Sequence, residues 1–405
     1  MLRRAFLVAG VALIALKCVF ADAPARAESK IVYSALAQNT VNKGLEFLQH
    51  QQKPDGGWQS EQDPPAMTAI VLKALVQDEK FDASTPAVKK GYDKLLTYQL
   101  ENGGIYQDLL ANYNTAIAVS ALAAAEDPAM KPRIDKAVAY LKGLQWTENT
   151  PAGGPKGEKV ADDKNPWYGG WGYGRHARPD GSNMQLALDA LHDAGLKAED
   201  PAFKAAVKFA SRMQNLSETN DQPWTGNDGG FTYTPANNGE SMAGEVVSPE
   251  GDRRLRSYGS MTYAGLKSMI YAGLAKDDPR VKGAWDWIRA NWTLDENPGM
   301  RLGGDEKAQQ GYYYYLHTFA RALNAYDEPV ITDAKGKKHD WRVELIDKLA
   351  SLQQPDGSWV GEKRWMEGNP VLVTSYAVLA LQEAQADLKE HPPRNPNDEI
   401  RSPNE

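Results

Sequence analysis

Two kinds of apolar segment alternate along the chain. In the first, apolar residues recur at spacings of three and four: Val41, Leu45 and Leu48; Val88, Tyr92 and Leu95; Val281, Trp285, Ile288 and Trp292. That is the period of an amphipathic helix, and charged residues fill the opposite face. In the second, residues 66–75, 115–125, 184–191, 261–274, 316–323 and 371–381 are apolar or small nearly all round. A helix that is apolar on every side is buried on every side. Six half-exposed helices alternating with six buried ones predict an all-α architecture. The buried helices line an inner wall and the amphipathic ones wrap it, giving an (α/α)6 toroid of six helical hairpins. The alternative is an open superhelix of helix pairs.

The turns between the two kinds of helix repeat as well. GLEFLQHQQKPDGGW (44–58) and IDKLASLQQPDGSW (346–359) share a helical run, a Gln six residues before a Trp, and Pro-Asp-Gly-x-Trp. A third copy is GYDKLLTYQLENGGI (91–105); weaker copies lead from Gln145 to GGWGYG (169–174), from Gln214 to NDGGFTY (227–233) and from Trp292 to NPGMRLGG (297–304). Asp-Gly is turn chemistry, because Asp bonds its own backbone and Gly takes positive φ. The Gln can satisfy open backbone groups at a helix end. The Trp offers a broad flat face to a neighbouring hairpin. The motif therefore reads as a staple between repeats, which takes Gln52, Gln353, Trp58 and Trp359 out of the catalytic candidates.

The chain has 405 residues, 46 Lys+Arg, 53 Asp+Glu and a net charge of −7. The acidic balance argues against nucleic acid as a partner, since phosphate binding needs a basic surface. One Cys excludes a disulfide framework and a thiolate metal cluster. The scattered His show no metal-binding spacing, so neither metal nor cofactor is expected. Arg3 and Arg4, the apolar run 5–16 and Ala25-Arg26-Ala27 read as an export signal spanning residues 1–27. The run is too short for a permanent membrane span. The toroid is expected over 28–386, the Pro-rich charged tail 387–405 to be disordered, and the protein to be periplasmic or extracellular.

The repeated Gln-x5-Trp with Pro-Asp-Gly-x-Trp resembles the QW repeat of squalene/hopene cyclases and the related prenyltransferases, at the level of repeats over most of residues 40–385. GYYYYLHTFARAL (311–323) is similar to exported bacterial proteins with squalene-cyclase-type repeats. The resemblance implies the α-toroid and a central cavity for an isoprenoid or another apolar molecule. The relatives' chemistry is missing its residues. There is no D-x-D-D to protonate an alkene. Asp162-Asp163 and Asp277-Asp278 lack the third Asp of D-D-x-x-D, and the zinc-binding Cys of prenyltransferases is absent once the signal is removed.

In such a ring the inner helices start at one end, where open N–H groups and helix dipoles favour anions or acceptor oxygens and a pocket should open. The long insertions 149–180 and 217–257 fall at that end. Candidate ligand contacts are Tyr113 and Asn114; Trp167, Tyr168 and Arg175 beside Trp171, Tyr173 and His176; Arg256 and Tyr258; and Tyr313. The run Tyr312 to Tyr315 with His317 offers a base and phenols, and Asp305 with Glu306 is the nearest substitute for the missing acid. Asp305, Glu306, His317 and Tyr312 are thus the catalytic candidates. His192 near Asp189 and Asp193 reads as a salt link at a helix end. Three functions compete: a terpenoid-cyclase- or prenyltransferase-like enzyme, a non-catalytic toroid binding a ligand or a protein partner, and a carbohydrate-active (α/α)6 enzyme.

Overall fold

The structure, a computed structural model, describes residues 22–60, 63–150, 157, 159–160, 162–174 and 177–391. Most of the expected export signal, Arg175, His176 and the end of the tail lie outside the described residues. The outer helices are α1 (Asp22–His50), α3 (Pro86–Leu96), α5 (Lys131–Leu144), α7 (Pro201–Met213), α9 (Pro279–Ala290) and α11 (Trp341–Leu352). The inner helices are α2 (Ala66–Val76), α4 (Ala111–Ala124), α6 (Gly181–Asp193), α8 (Gly259–Tyr271), α10 (Tyr312–Tyr326) and α12 (Pro370–Glu390). Inner helices pack in chain order from α2 to α12, and α12 packs back on α2. The ring is closed, an (α/α)6 toroid.

Local sequence explains where the helices begin. Asp200 and Asp278 cap α7 and α9, each followed by Pro at the first helical position, and Asp340 caps α11. Asp278 also pairs with Arg280 at 2.7 Å, so this half of the Asp277-Asp278 pair is helix-start chemistry. Two small antiparallel hairpins were not signalled by the helical pattern. In one, β1 (Glu245–Val247) pairs with β2 (Arg253–Leu255), Val246 opposite Arg254; in the other, β3 (Val330–Thr332) pairs with β4 (Lys338–Asp340), Ile331 opposite His339. The expected break at residue 387 is corrected. Helix α12 runs on to Glu390 because Asp387 is fully buried against Arg342, at 2.9 Å.

The Gln staple recurs at five turns. Gln52 Nε2 donates to Gly56 O in its own turn and to Ala87 O at the start of the next outer helix. Gln99 does the same to Gly103 and Arg133, Gln145 to Gly169 and Ala202, and Gln214 to Gly229 and Arg280. Gln353 closes the circle by donating to Gly357 O and, at 2.9 Å, to Thr40 O of α1. Each Trp stays tied to its own outer helix, Trp58 Nε1 to Leu48 O and Trp359 Nε1 to Leu349 O. Its ring lies against a glycine of the next one, Trp58 on Gly91 and Trp359 on Gly44. A Cβ at Gly91 would sit 2.9 Å from the Trp58 ring, so the close approach requires glycine there.

Candidate functional site

A cavity of about 240 Å³ opens where the inner helices begin. Six tyrosines (Tyr113, Tyr173, Tyr233, Tyr258, Tyr314 and Tyr376) and four methionines (Met67, Met242, Met261 and Met366) form about half of its wall. Trp365 and Met366 stand at its partly exposed mouth, both with positive φ. Gly311 allows that approach, since a Cβ there would lie 3.1 Å from the Trp365 ring. Glu367 is the one carboxylate among the described lining residues, and no Lys, Arg or His joins it.

Five of the six inner-helix starts around this cavity are already capped by side chains, and α4, without one, gives Asn112 N to the Tyr173 carbonyl; this corrects the expectation of an end open to anions. Asn114 Oδ1 accepts from Ala66 N at 2.8 Å, and Asp180 Oδ1 accepts from Asn183 N at 2.9 Å. Asn297 Oδ1 accepts from Ser260 N, Glu367 Oε1 from Tyr314 N, and Asn369 Oδ1 from Val371 N. Two of these caps are carboxylates, so the positive helix ends are answered by the protein itself. Burial pushes Glu367 up to about 7 and Asp180 up to about 6, against the lowering effect of those N–H donors.

Beneath the cavity floor lies a buried cluster of three cations and three carboxylates. Lys267 Nζ lies 2.7 Å from Asp189; Arg321 reaches Asp189 at 3.3 Å, Asp193 at 2.9 Å and Glu383 at 3.5 Å; Lys73 pairs with Asp193 at 2.7 Å. Charge balance is what lets this set sit in the core. Burial lowers Lys267 to about 8, with its acid partners acting the other way. His317 is enclosed just above. Burial holds it well below the usual imidazole range, helped by Arg321, Lys267 and Lys73, and its ring packs on Tyr376 with centroids 5.3 Å apart. At the far end of the ring His192 stacks on Tyr271 at 3.8 Å over a shallower pocket that Arg321 and Glu383 reach from the cluster.

The sequence candidates divide sharply. Tyr113, Asn114 and Tyr258 line the cavity. Asp305 and Glu306 do not: they sit exposed on a short 3-10 turn, with Asp305 bound to Arg301 at 3.1 Å. Tyr312 is a core residue that donates to Leu294 O, and Tyr313 packs against Gly361. Trp167 and Tyr168 belong to a separate apolar cluster with Trp146 and Val160. Arg256 bonds Ala243 O, away from the cavity. Tyr173 and Tyr314, members of two of the constellations the sequence singled out, also line the cavity, and the lining residues that the sequence did not single out include Tyr233, Tyr376, Trp365 and Glu367. One signal was present for the buried cluster: Lys73, Asp189, Lys267 and Arg321 each stand in an otherwise largely apolar stretch of an inner helix.

Comparison with solved structures gives the architecture a relative. A variant of the type II terpene cyclase MstE from Scytonema, in complex with geranylgeranyl dihydroxybenzoate, matches over 88% of this chain and 99% of that chain, at TM-score 0.52 and 16% identity. The chain has the α-toroid fold of that enzyme. That toroid is shared with other chemistry: the cellobiose 2-epimerase from Spirochaeta thermophila DSM 6192 matches over 90% of this chain and 98% of that chain, at TM-score 0.56 and 15% identity. At these identities the likeness concerns the fold alone. No family model and no curated protein matches the sequence. Among the described residues, no group of His, Cys, Asp or Glu could hold a metal ion, and no helix is long and apolar enough to cross a membrane.

Proposed function

We propose that this chain is an exported α-toroid that binds an isoprenoid or similar apolar molecule in the cavity at the inner-helix starts. The observation that carries the reading is the wall itself: six phenol rings and four thioethers around about 240 Å³, with a single carboxylate. Aromatic and thioether surfaces favour large, polarisable, uncharged ligands. A cyclase mechanism based on Asp305 or Glu306 has no support, because neither reaches the cavity. A glycosidase-type site needs two facing carboxylates about 5–10 Å apart, and the described wall offers one.

The test is lipid-extract mass spectrometry on the full chain purified from its native export route, compared with Met242→Trp, which fills the cavity wall. An apolar molecule retained by the wild type and lost from the folded variant supports the reading. A wild type that carries no such molecule, and takes up none when incubated with an isoprenoid mixture, overturns it. Recovery of the unprocessed chain from the cytoplasm would overturn the export part alone.

A further inference from the structure

Hydroxyls on the cavity wall are joined in a chain that starts from a cation below the floor. Lys267 can only donate, and its Nζ lies 2.6 Å from Gln185 Oε1. The Gln185 amide is thereby oriented, so Nε2 must be the group 2.9 Å from the Tyr314 hydroxyl, and it donates. The Tyr314 hydroxyl and Ser182 Oγ lie 3.0 Å apart and either can donate; the direction that continues from Gln185 has Tyr314 donating. In that same direction Ser182 donates to the Tyr113 hydroxyl, a pair in which either atom can again be the donor. Every proton up to this point is spent inside the wall. In that direction the Tyr113 proton is not spent on Ser182, and it sits on a residue that lines the cavity and stacks on Tyr173, whose hydroxyl meets that of Tyr233 at 3.0 Å.

A second donor stands on the same side. Tyr258 also lines the cavity and its hydroxyl makes no hydrogen bond among the described residues. No cation balances an anion here. Lys73, Lys267 and Arg321 are matched below the floor by Asp189, Asp193 and Glu383, and five of the six helix starts are capped by side chains, two of them carboxylates. Building on the proposed apolar-ligand function, we infer that the cavity takes an uncharged apolar molecule bearing one acceptor oxygen, which Tyr113 and Tyr258 hold by donated protons. Gln185 is a positioning residue that fixes the direction of the Tyr113 donor.

The test uses a matched set of probes on the full chain: geraniol, geranyl methyl ether, the corresponding hydrocarbon and geranyl diphosphate, with affinities read from quenching of the tryptophan fluorescence. The alcohol and the ether both present an acceptor oxygen, so each is expected to bind about tenfold tighter than the hydrocarbon, with the diphosphate weakest. Gln185→Glu is the decisive variant. A carboxylate there accepts from both Lys267 and Tyr314, which reverses the chain and turns the Tyr113 proton back toward Ser182. The oxygen preference should then fall to about a third or less of its wild-type value. Tyr113→Phe tests the same donor without altering the floor and should give a similar loss. Equal binding of hydrocarbon and alcohol, or tighter binding of the diphosphate, overturns this inference and leaves the apolar-cavity reading standing. An oxygen preference unchanged in both variants also overturns it. Binding of none of the four overturns both.

Discussion

The interior of the ring has two storeys built by the same helices. The upper one is the cavity, walled by phenols and thioethers; the lower one is the balanced set of Lys73, Lys267, Arg321, Asp189, Asp193 and Glu383. They are related by register. Ala66 and Lys73, Ser182 and Asp189, Ser260 and Lys267, Tyr314 and Arg321, Tyr376 and Glu383 are each seven positions apart on one helix, the first lining the cavity and the second in the ion cluster. Seven residues are about two turns, so each pair shares one helix face about 10 Å apart. The comparison teaches how a six-helix ring treats its axis. Long charged side chains meet across it in the lower storey and fill it, whereas the aromatic wall of the upper storey leaves it open.

The largest effect is expected where the lower storey is broken. Arg321→Met leaves Asp189, Asp193 and Glu383 short of a cation in the core, at a cost of about 3–5 kcal/mol by chemical denaturation. A loss below about 1 kcal/mol would mean that water fills this storey and that the contrast with the cavity is false.

The next test titrates the one carboxylate of the upper storey. Glu367 releases its proton at about 7 in the folded chain, against 4.5 ordinarily. Between those values the folded state holds a proton that the unfolded state has lost. This group's contribution is therefore greatest at low pH and declines as pH climbs from about 4.5 through 7, by about 3 kcal/mol in all. Stability measured across that window should fall less steeply in Glu367→Gln. An identical slope in both proteins would show that the upper storey is wetter than its burial implies.

Smaller effects come from outside both storeys. Gln353→Ala removes the two donors that tie α11 to its turn and to α1, leaving Thr40 O and Gly357 O without that partner, for a loss of about 1–2 kcal/mol in thermal or chemical unfolding. Smallest of all is the double change Asp305→Asn with Glu306→Gln. Both residues are exposed, so stability should move by no more than about 0.5 kcal/mol and ligand affinity should stay put. A large loss of ligand binding would return the acid to this turn.

These contrasts also show what a one-dimensional reading could reach. The toroid was legible because burial on every side and burial on one side leave different periodicities, and because Gln-x5-Trp recurs at fixed offsets. The end at which the cavity opens followed from the parallel direction of the inner helices. Individual side chains did not follow. Tyr312 to Tyr315 are consecutive on a helix, and a rotation of about 100° per residue sends only Tyr314 into the cavity. Glu367 and Trp365 sit in an irregular turn whose path depends on Gly311 and on left-handed backbone at Trp365 and Met366, and no periodicity reports that. Charges inside otherwise apolar helices were the neglected signal. A lone Lys267 or Arg321 in such a segment asks for a partner on a neighbouring inner helix, and the spacing of seven could have located the lower storey beforehand.

Five glutamines bind each outer helix to the next, but the step from α9 to α11 has none. Trp292 stands in place of the Gln and donates instead to Glu344, while the β3–β4 hairpin occupies the gap. A closed band of links in series parts at the link that resists least. Breathing of the whole ring should start at this seam, and amide hydrogens flanking 290–340 should exchange with solvent ahead of their counterparts at the other five joints.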